Sequence, residues 1–103
     1  RSRVLWNIRV EVTAAVRELT LHANYPNPFN ASTTLSFHLP RDGRVRLALF
    51  DAGGRECALL VDEEMTAGLH TVPWHAGSAA SGLYLARLSC AGEVAVRKLL
   101  LLR

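Results

Sequence analysis

The sequence predicts an all-β protein, a two-sheet antiparallel β-sandwich of about seven strands. Apolar and polar side chains alternate with a period of two over most of the chain. No stretch keeps the i, i+3, i+4, i+7 apolar pattern of an amphipathic helix over three turns. Turn residues separate the alternating segments at intervals of about 8 to 12 residues, a spacing typical of β-sandwiches.

The first two clear strands form around residues 34–39 and 44–50. Pro40 ends the first strand because proline has no backbone N–H to donate to a neighbouring strand. The second strand ends at the turn residues 51–54, whose Asp and Gly composition favours a hairpin. These segments therefore start an antiparallel arrangement.

The third and fourth strands follow the hairpin. Alternation places Cys57, Leu59 and Val61 on one face, and the acidic residues Asp62–Glu64 are expected to form a loop after them. Gly68 then opens a fourth strand that continues to Trp74. A loop over residues 75–82 is expected next.

The last two strands carry the most regular alternation. One strand puts Tyr84, Ala86, Leu88 and Cys90 on a single face, up to the turn at Ala91-Gly92. The final strand runs from Glu93 to Leu102. Trp74 shares the phase of Val72, so both Trp74 and Tyr84 are expected in the core.

Residues 1–17 stand apart from this pattern. They contain an alternating stretch followed by a connector without a turn signal. The alternating stretch could be the last strand of a preceding domain or an additional edge strand of this sandwich, and the sequence is compatible with both. We expect a domain at 18–103, with 1–17 as strand and connector. The alternating apolar residues are Val4, Trp6, Ile8, Val10 and Val12.

Composition excludes several function classes. The 12 basic and 9 acidic residues give a net charge of only +3, spread along the chain, so nucleic acid is not expected as a partner. No apolar run reaches the roughly 18 residues that span a bilayer, so no transmembrane segment is expected. The chain begins at Arg1 without a methionine, so we expect a fragment or a mature C-terminal piece of a longer protein, upstream of which an export signal could lie.

Candidate catalytic and metal-binding residues are sparse. The phase of Cys57 and Cys90 favours inert core positions over a disulfide, and their spacing does not fit a zinc site. The four histidines, His22, His38, His70 and His75, lie in different elements. Asp62–Glu64 lack the alternating ligands of a calcium loop. We therefore expect no catalytic residue, no metal and no cofactor.

One segment is rigid and aperiodic. Proline fixes φ and restricts the residue before it, and asparagine amides can bond neighbouring backbone groups. Tyr25 and Phe29 are expected to pin this strap over one end of the sandwich, either to close the fold or to contact a receptor. The strap comprises Asn24, Tyr25, Pro26, Asn27, Pro28, Phe29 and Asn30.

With further motifs, the strap resembles the C-terminal sorting domains of type IX secretion cargo and the related immunoglobulin-like domain of flagellar hook-capping proteins. The similarity covers about residues 18–103. Ala31, Gly53 and His75 depart from the family pattern. The other matching motifs are Ser32-Thr33-Thr34-Leu35, Phe50-Asp51 to Gly54-Arg55-Glu56, Ala67-Gly68 before Trp74, Ser81-Gly82-Leu83-Tyr84 with Arg87-Leu88, and the closing segment from Arg97.

The resemblance implies an immunoglobulin-like, non-catalytic domain that sends an exported protein to the cell surface or medium. Its implied partners are the outer-membrane secretion machinery, a sortase-like protease that cuts around residues 13–18, and upstream cargo domains. A structural spacer or assembly module, as in hook caps, is the alternative. A carbohydrate-binding module using Trp74 and Tyr84 is a third hypothesis.

The final strand is the strongest recognition candidate. Both faces of residues 99–102 are apolar, so one face must meet something besides this core, unless a loop or the N-terminal strand covers it. Such an edge could pair with another chain, including a second copy in a dimer. An ordinary buried last strand is the equal alternative. The candidate residues are Arg97, Lys98, Leu99, Leu100, Leu101, Leu102 and Arg103.

Overall fold

The computed structural model describes residues 18–103, which form seven strands in two antiparallel sheets. This confirms the predicted all-β sandwich. Within that range there is no helix that is long and apolar enough to cross a membrane. The strands are β1 (Thr20–Leu21), β2 (Ser32–Leu39), β3 (Gly43–Asp51), β4 (Glu56–Met65), β5 (Gly68–His75), β6 (Gly82–Cys90) and β7 (Glu93–Leu101).

The sheets have the strand orders β1-β2-β5 and β4-β3-β6-β7. The chain crosses between the sheets after β2, β4 and β5, whereas β3–β4 and β6–β7 are hairpins within one sheet. The hydroxyl of Tyr84 on β6 donates to the carbonyl of Ala80 at 2.6 Å. This bond to the backbone just upstream is the tyrosine corner of immunoglobulin-like sandwiches. The connectivity and the corner together support the immunoglobulin-like class.

The core lies between the two inner faces, and its residues follow the predicted alternation. In β2, every second side chain from Thr33 to Leu39 is buried. β6 buries Tyr84, Ala86, Leu88 and Cys90, as the sequence predicts. The largest fully buried side chains are Phe37, Leu35, Leu39, Leu47, Leu49, Leu88, Leu99, Leu101 and Val45.

The predicted inward phase of Cys57 is wrong, because β4 is irregular. Its pairing with β3 shifts twice, once after Leu47 and once after Leu49. Each shift inserts an extra residue on β4, and a bulge reverses which side chains face the core. Val61 is buried, but Leu59 is exposed and Ala58 packs against the core instead. Cys57 consequently lies on the outside.

The predicted acidic loop at Asp62–Glu64 is also wrong. These residues belong to β4, which continues to Met65, and they pair with β3 across from Arg44, Val45 and Arg46. The Arg44 guanidinium contacts the Asp62 carboxylate at 2.9 Å. β4 is the edge of its sheet, so its charged side chains can remain in water while the backbone pairs.

Predictions for the first residues fall outside the described residues. They are the strand over residues 4–12 and the connector that follows it. The expected protease cut around residues 13–18 concerns the same segment, apart from Glu18, which precedes β1. Residues 18–103 supply all seven strands described above.

Candidate functional site

The strap, residues 24–30, is fixed to the three-stranded sheet at its start. Tyr25 and Thr34 exchange two backbone hydrogen bonds, at 3.0 and 2.9 Å. Beneath them, the Asn24 amide nitrogen donates to Thr33 Oγ1 at 3.0 Å, and Thr33 Oγ1 donates to the Pro26 carbonyl at 2.7 Å. Asn24 and Thr33 are both buried, so these bonds replace water for polar groups inside the fold.

The end of the strap is fixed to the four-stranded sheet. The amide of Phe29 donates to the carbonyl of Leu100 at 3.0 Å, and the amide of Leu102 donates to the carbonyl of Phe29 at 2.8 Å. Asn27 Oδ1 accepts a further bond from the Leu100 amide at 3.0 Å. The strap thus runs beside β7 and joins both sheets at one end of the sandwich.

Only one of the two strap aromatics enters the core. Phe29 is buried and meets the Trp74 ring edge-on, with 5.5 Å between the ring centroids. Trp74 meets Tyr84 in the same way at 5.3 Å. Tyr25 is 81% exposed, so the prediction that it also pins the strap is wrong. Its side chain is instead exposed on the outward side of the three-stranded sheet, next to its partner Thr34.

The burial of Trp74 and Tyr84 confirms that both are core residues. The Trp74 and Tyr84 rings pack against each other, and Trp74 also packs against Phe29. A sugar-stacking platform needs an exposed aromatic face. The carbohydrate hypothesis therefore loses the two residues on which it rested.

The seven C-terminal candidates divide by burial. Leu99 and Leu101 are fully buried, and Leu100 is half-buried beside the strap. Leu102 remains 51% exposed. The strap therefore covers part of the apolar segment 99–102, for which the sequence alone indicates no contact on one face. Leu102 is the exposed apolar side chain of this segment, and it can contact another molecule.

The basic candidates also differ in their surroundings. Arg97 Nε donates to the Leu21 carbonyl at 2.8 Å and so links β7 to β1 across the sandwich. Arg103 bonds the loop after β5, through Ser81 Oγ at 2.9 Å, Ala79 O at 2.7 Å and Gly77 O. The Lys98 side chain is exposed, and its ammonium forms no ion pair with the described residues.

The remaining motif residues have structural positions. Gly82 begins β6 with φ at 151°, a backbone angle that residues with a side chain rarely adopt. Asn30, Pro26 and Pro28 are exposed and line a surface groove with Phe29 and Leu102. This groove brings together the strap and the last residues of the chain. Sequence reasoning identified both segments but not their contact, because no local pattern links positions so far apart.

The two thiols are unfavourable nucleophiles. Partial desolvation of the sulfur beside the Leu49 carbonyl, then the negative charge of Asp51, raises the pKa of the Cys57 thiol. Burial, then Glu93 and Glu64, raises the pKa of Cys90. The two cysteines lie on the two strands that neighbour β3. Cys57 on β4 is next to Leu49, and Cys90 on β6 pairs with Val45. Both thiols are free. The disulfide alternative is therefore not realised in this structure.

Groups that could hold a metal are not gathered anywhere in the described part of the chain. His70 stacks on Phe37, with 5.5 Å between ring centroids, and its Nε2 lies 2.7 Å from the Thr66 carbonyl. A cleft of about 590 Å³ is lined by Asp51, Cys57 and His75 among others, above Trp74 and Tyr84. Its one thiol has a raised pKa, so the cleft lacks an activated nucleophile.

No protein-family model matches this chain, and no curated protein matches it. The geometry at the strap is therefore the main support for a functional assignment. It brings exposed residues from both ends of the described chain, Pro26, Pro28, Asn30 and Leu102, into one surface groove.

Proposed function

We propose that residues 18–103 form a non-catalytic C-terminal sorting domain, which directs an exported protein through type IX outer-membrane secretion machinery by protein recognition. The sequence resemblance suggests this role. One structural observation carries the proposal: the strap and the closing segment, which hold much of the resemblance, are hydrogen-bonded to each other through Phe29, Leu100 and Leu102.

This contact explains how one motif could depend on the other. β6 holds one side of β7, and the strap holds the other side near its end. The C-terminal residues are thereby ordered against a rigid surface. A receptor can then read a preorganised shape, which lowers the entropic cost of binding.

The proposed contact residues are exposed side chains in and near the strap groove. Leu102 lines the groove, whereas Tyr25 and Lys98 project from the outward sides of the three-stranded and the four-stranded sheet. Phe29, Leu99 and Leu101 support this end of the sandwich from inside. An aromatic ring, an ammonium group and an apolar side chain offer three kinds of contact to a protein partner.

The corresponding biology follows from the resemblance. The domain would be carried through the periplasm to the cell surface or the medium, attached to an upstream cargo domain. A sortase-like protease would remove it by cutting before β1.

A reporter fusion tests the proposal. The 103-residue chain is placed at the C-terminus of a periplasmic reporter in a host with type IX secretion and in the same host without the outer-membrane pore. We expect export only in the first host. Retention in the periplasm of both hosts, with authentic cargo still exported, would contradict the proposal.

A set of exposed variants locates the contact surface. Tyr25→Ala, Lys98→Glu and Leu102→Ser should reduce export while the domain remains folded, since none of these side chains is buried. Arg41→Glu, a charge reversal at an exposed turn residue between β2 and β3 at the opposite end of the sandwich, is the matched control and should leave export unchanged. Normal export of all three strap-side variants would place recognition elsewhere.

An immunoglobulin-like spacer or assembly module is the second candidate. The outward side of the four-stranded sheet carries exposed Leu59, Val94 and Val96, which could pack against another domain. Such a module would not export a reporter in either host. The same fusion experiment therefore separates the two functions.

A further inference from the structure

The outward side of the four-stranded sheet, called here the outer face, is unusually apolar. A sheet face in contact with water usually carries polar side chains at alternate positions. Here Leu59 is 46% exposed and Val96 is 52% exposed, and Val94 and Leu83 are exposed as well. Phe50 and Leu85 lie between them and are half-buried. Contiguous apolar surface of this kind typically marks an interaction site.

The register of the strands orders the outer face into rows. In one row, Phe50 on β3 pairs with Glu56 on β4 and with Leu85 on β6. Leu85 then pairs with Lys98 on β7. From β4 to β7 this row therefore consists of an acidic residue, two apolar residues and a basic residue. The neighbouring row, in the same strand order, is Leu59, Ala48, Arg87 and Val96.

The charges on the outer face are divided between its two halves. On β3 and β4, Arg46 contacts Glu56 at 3.0 Å and Arg44 contacts Asp62 at 2.9 Å. Glu64 adds a further carboxylate to that half. On β6 and β7, Arg87 and Lys98 form no ion pair with any described residue. One half therefore has an excess of carboxylate, and the other half is cationic.

We propose that the occupant of the outer face is a second copy of this chain, packed face to face about a two-fold axis parallel to the strands. Such an axis places β4 of one copy over β7 of the other, and β3 over β6. Glu56 then meets Lys98 of the second copy. Phe50 meets Leu85, and Leu59 meets Val96. The outer face is self-complementary under this operation, as an isologous interface requires.

The size of the face is adequate for a weak dimer. Four strands spaced by about 4.8 Å, with nine residues rising about 3.3 Å each, cover about 570 Å² per copy. The total of about 1,100 Å² lies at the low end of specific interfaces. Stacked sheets cross at about −30°, which corresponds to an axis tilted by about 15° from the mean strand direction. Phe50 and Leu85 lie on β3 and β6, the two strands nearest the axis.

This interface differs from the edge-strand dimer that the sequence suggests. The strap already bonds β7 at Leu100 and Leu102, which leaves less of that edge for another strand. The outer face needs no free backbone groups. The inference goes beyond the proposed export function and does not depend on it, because it concerns the purified chain alone.

Sedimentation velocity on the 103-residue chain tests the dimer, from low micromolar up to about 0.5 mM, a range that detects weak association. We expect a reversible monomer–dimer equilibrium. Val96→Glu should raise the dissociation constant at least about tenfold, or 1.4 kcal/mol. Thr71→Glu, on the outward side of the three-stranded sheet, should not change it. A chain that stays monomeric throughout overturns the proposal and leaves the face to a different protein.

A charge exchange tests the orientation. Lys98→Glu should weaken the dimer because the introduced carboxylate then faces Glu56 of the opposing copy and repels it. Adding Glu56→Lys should restore association to within about threefold of the original chain, a difference below 1 kcal/mol. Circular dichroism confirms that each variant is folded. A dimer unaffected by Lys98→Glu, or a double variant no better than Lys98→Glu alone, contradicts this two-fold arrangement.

Discussion

The backbone amide of Phe29 donates a 3.0 Å hydrogen bond to the carbonyl of Leu100, at opposite ends of the described chain. The bond lies on the side of β7 that has no neighbouring strand in the sheet, where unpaired backbone N–H and C=O groups could otherwise bond another strand. Phe29 also places its ring against Trp74 beneath this edge. Phe29 therefore contributes both to protection of this edge and to core packing at this end.

Replacing Phe29 should separate the strap from the sandwich. Phe29→Ala removes a ring that is only 4% exposed and opens a cavity beside Trp74. We expect the free energy of unfolding to fall by about 3–5 kcal/mol. Urea denaturation followed by tryptophan fluorescence measures this loss. Tyr25→Ala is the control, and its cost should stay within about 0.5 kcal/mol because its ring is exposed.

The last residues of β7 should divide into supporting and displayed positions. Leu101→Ala should cost about 2–5 kcal/mol, because its side chain is fully buried. Leu102→Ser should cost less than about 1 kcal/mol, since half of its side chain is already in water. Thermal unfolding of the two variants provides the comparison. Equal losses would mean that Leu102 also supports the fold.

This division also determines how export should be tested. Deleting the last residues removes Leu99 and Leu101 from the core together with the exposed Leu102. Failure of export after such a deletion could then result from unfolding alone. Leu102→Ser removes the displayed group and keeps the core.

Regular alternation makes most of the fold predictable from the sequence. In β2 and β6, every buried position follows from the period of two, because neither strand is interrupted. In β4 the same rule fails at Cys57. The extra residue Leu60 reverses the phase between Val61 and Cys57, and apolar patterning does not encode where an extra residue is inserted. The acidic residues 62–64 resemble a loop in sequence because an edge strand can be as polar as a loop.

The candidate site is predictable only in part. The prolines and asparagines of the strap indicate a rigid segment, and Phe29 is buried as expected. Whether Tyr25 or Phe29 enters the core depends on the position of Trp74 in the fold, and the local sequence of the strap carries no information about that position. Likewise, the apolar edge at Leu100 is covered by the strap, a contact between distant residues that no spacing rule reveals.

The β6–β7 hairpin contains a position that can be improved. Ala91 and Gly92 form its two-residue turn, with φ of 52° and 84°. Both angles are positive, as in a type I′ turn, where asparagine followed by glycine is preferred. Ala91→Asn should therefore stabilise the domain by about 0.5–1 kcal/mol. A thermal melt should show a rise of a few degrees, about 4–8 °C per kcal/mol for a domain of this size.

Gly92→Ala is the matched control for that turn. It places a side chain at φ 84° and should lower the melting temperature. If Ala91→Asn also lowers it, the strain at Ala91 is smaller than the left-handed angle indicates.

Alkaline pH should weaken the fold through Cys90. Burial, and secondarily Glu93 and Glu64, raises the pKa of this thiol in the folded chain. The unfolded chain therefore loses the thiol proton first, at its ordinary pKa of about 8.5. Stability from this group is complete below that pH and declines as pH rises toward the folded pKa. Urea midpoints between about pH 7 and 10 should fall more steeply for the original chain than for Cys90→Ala. Parallel curves would show that Cys90 does not contribute to the pH dependence, whatever the cost of its lost packing.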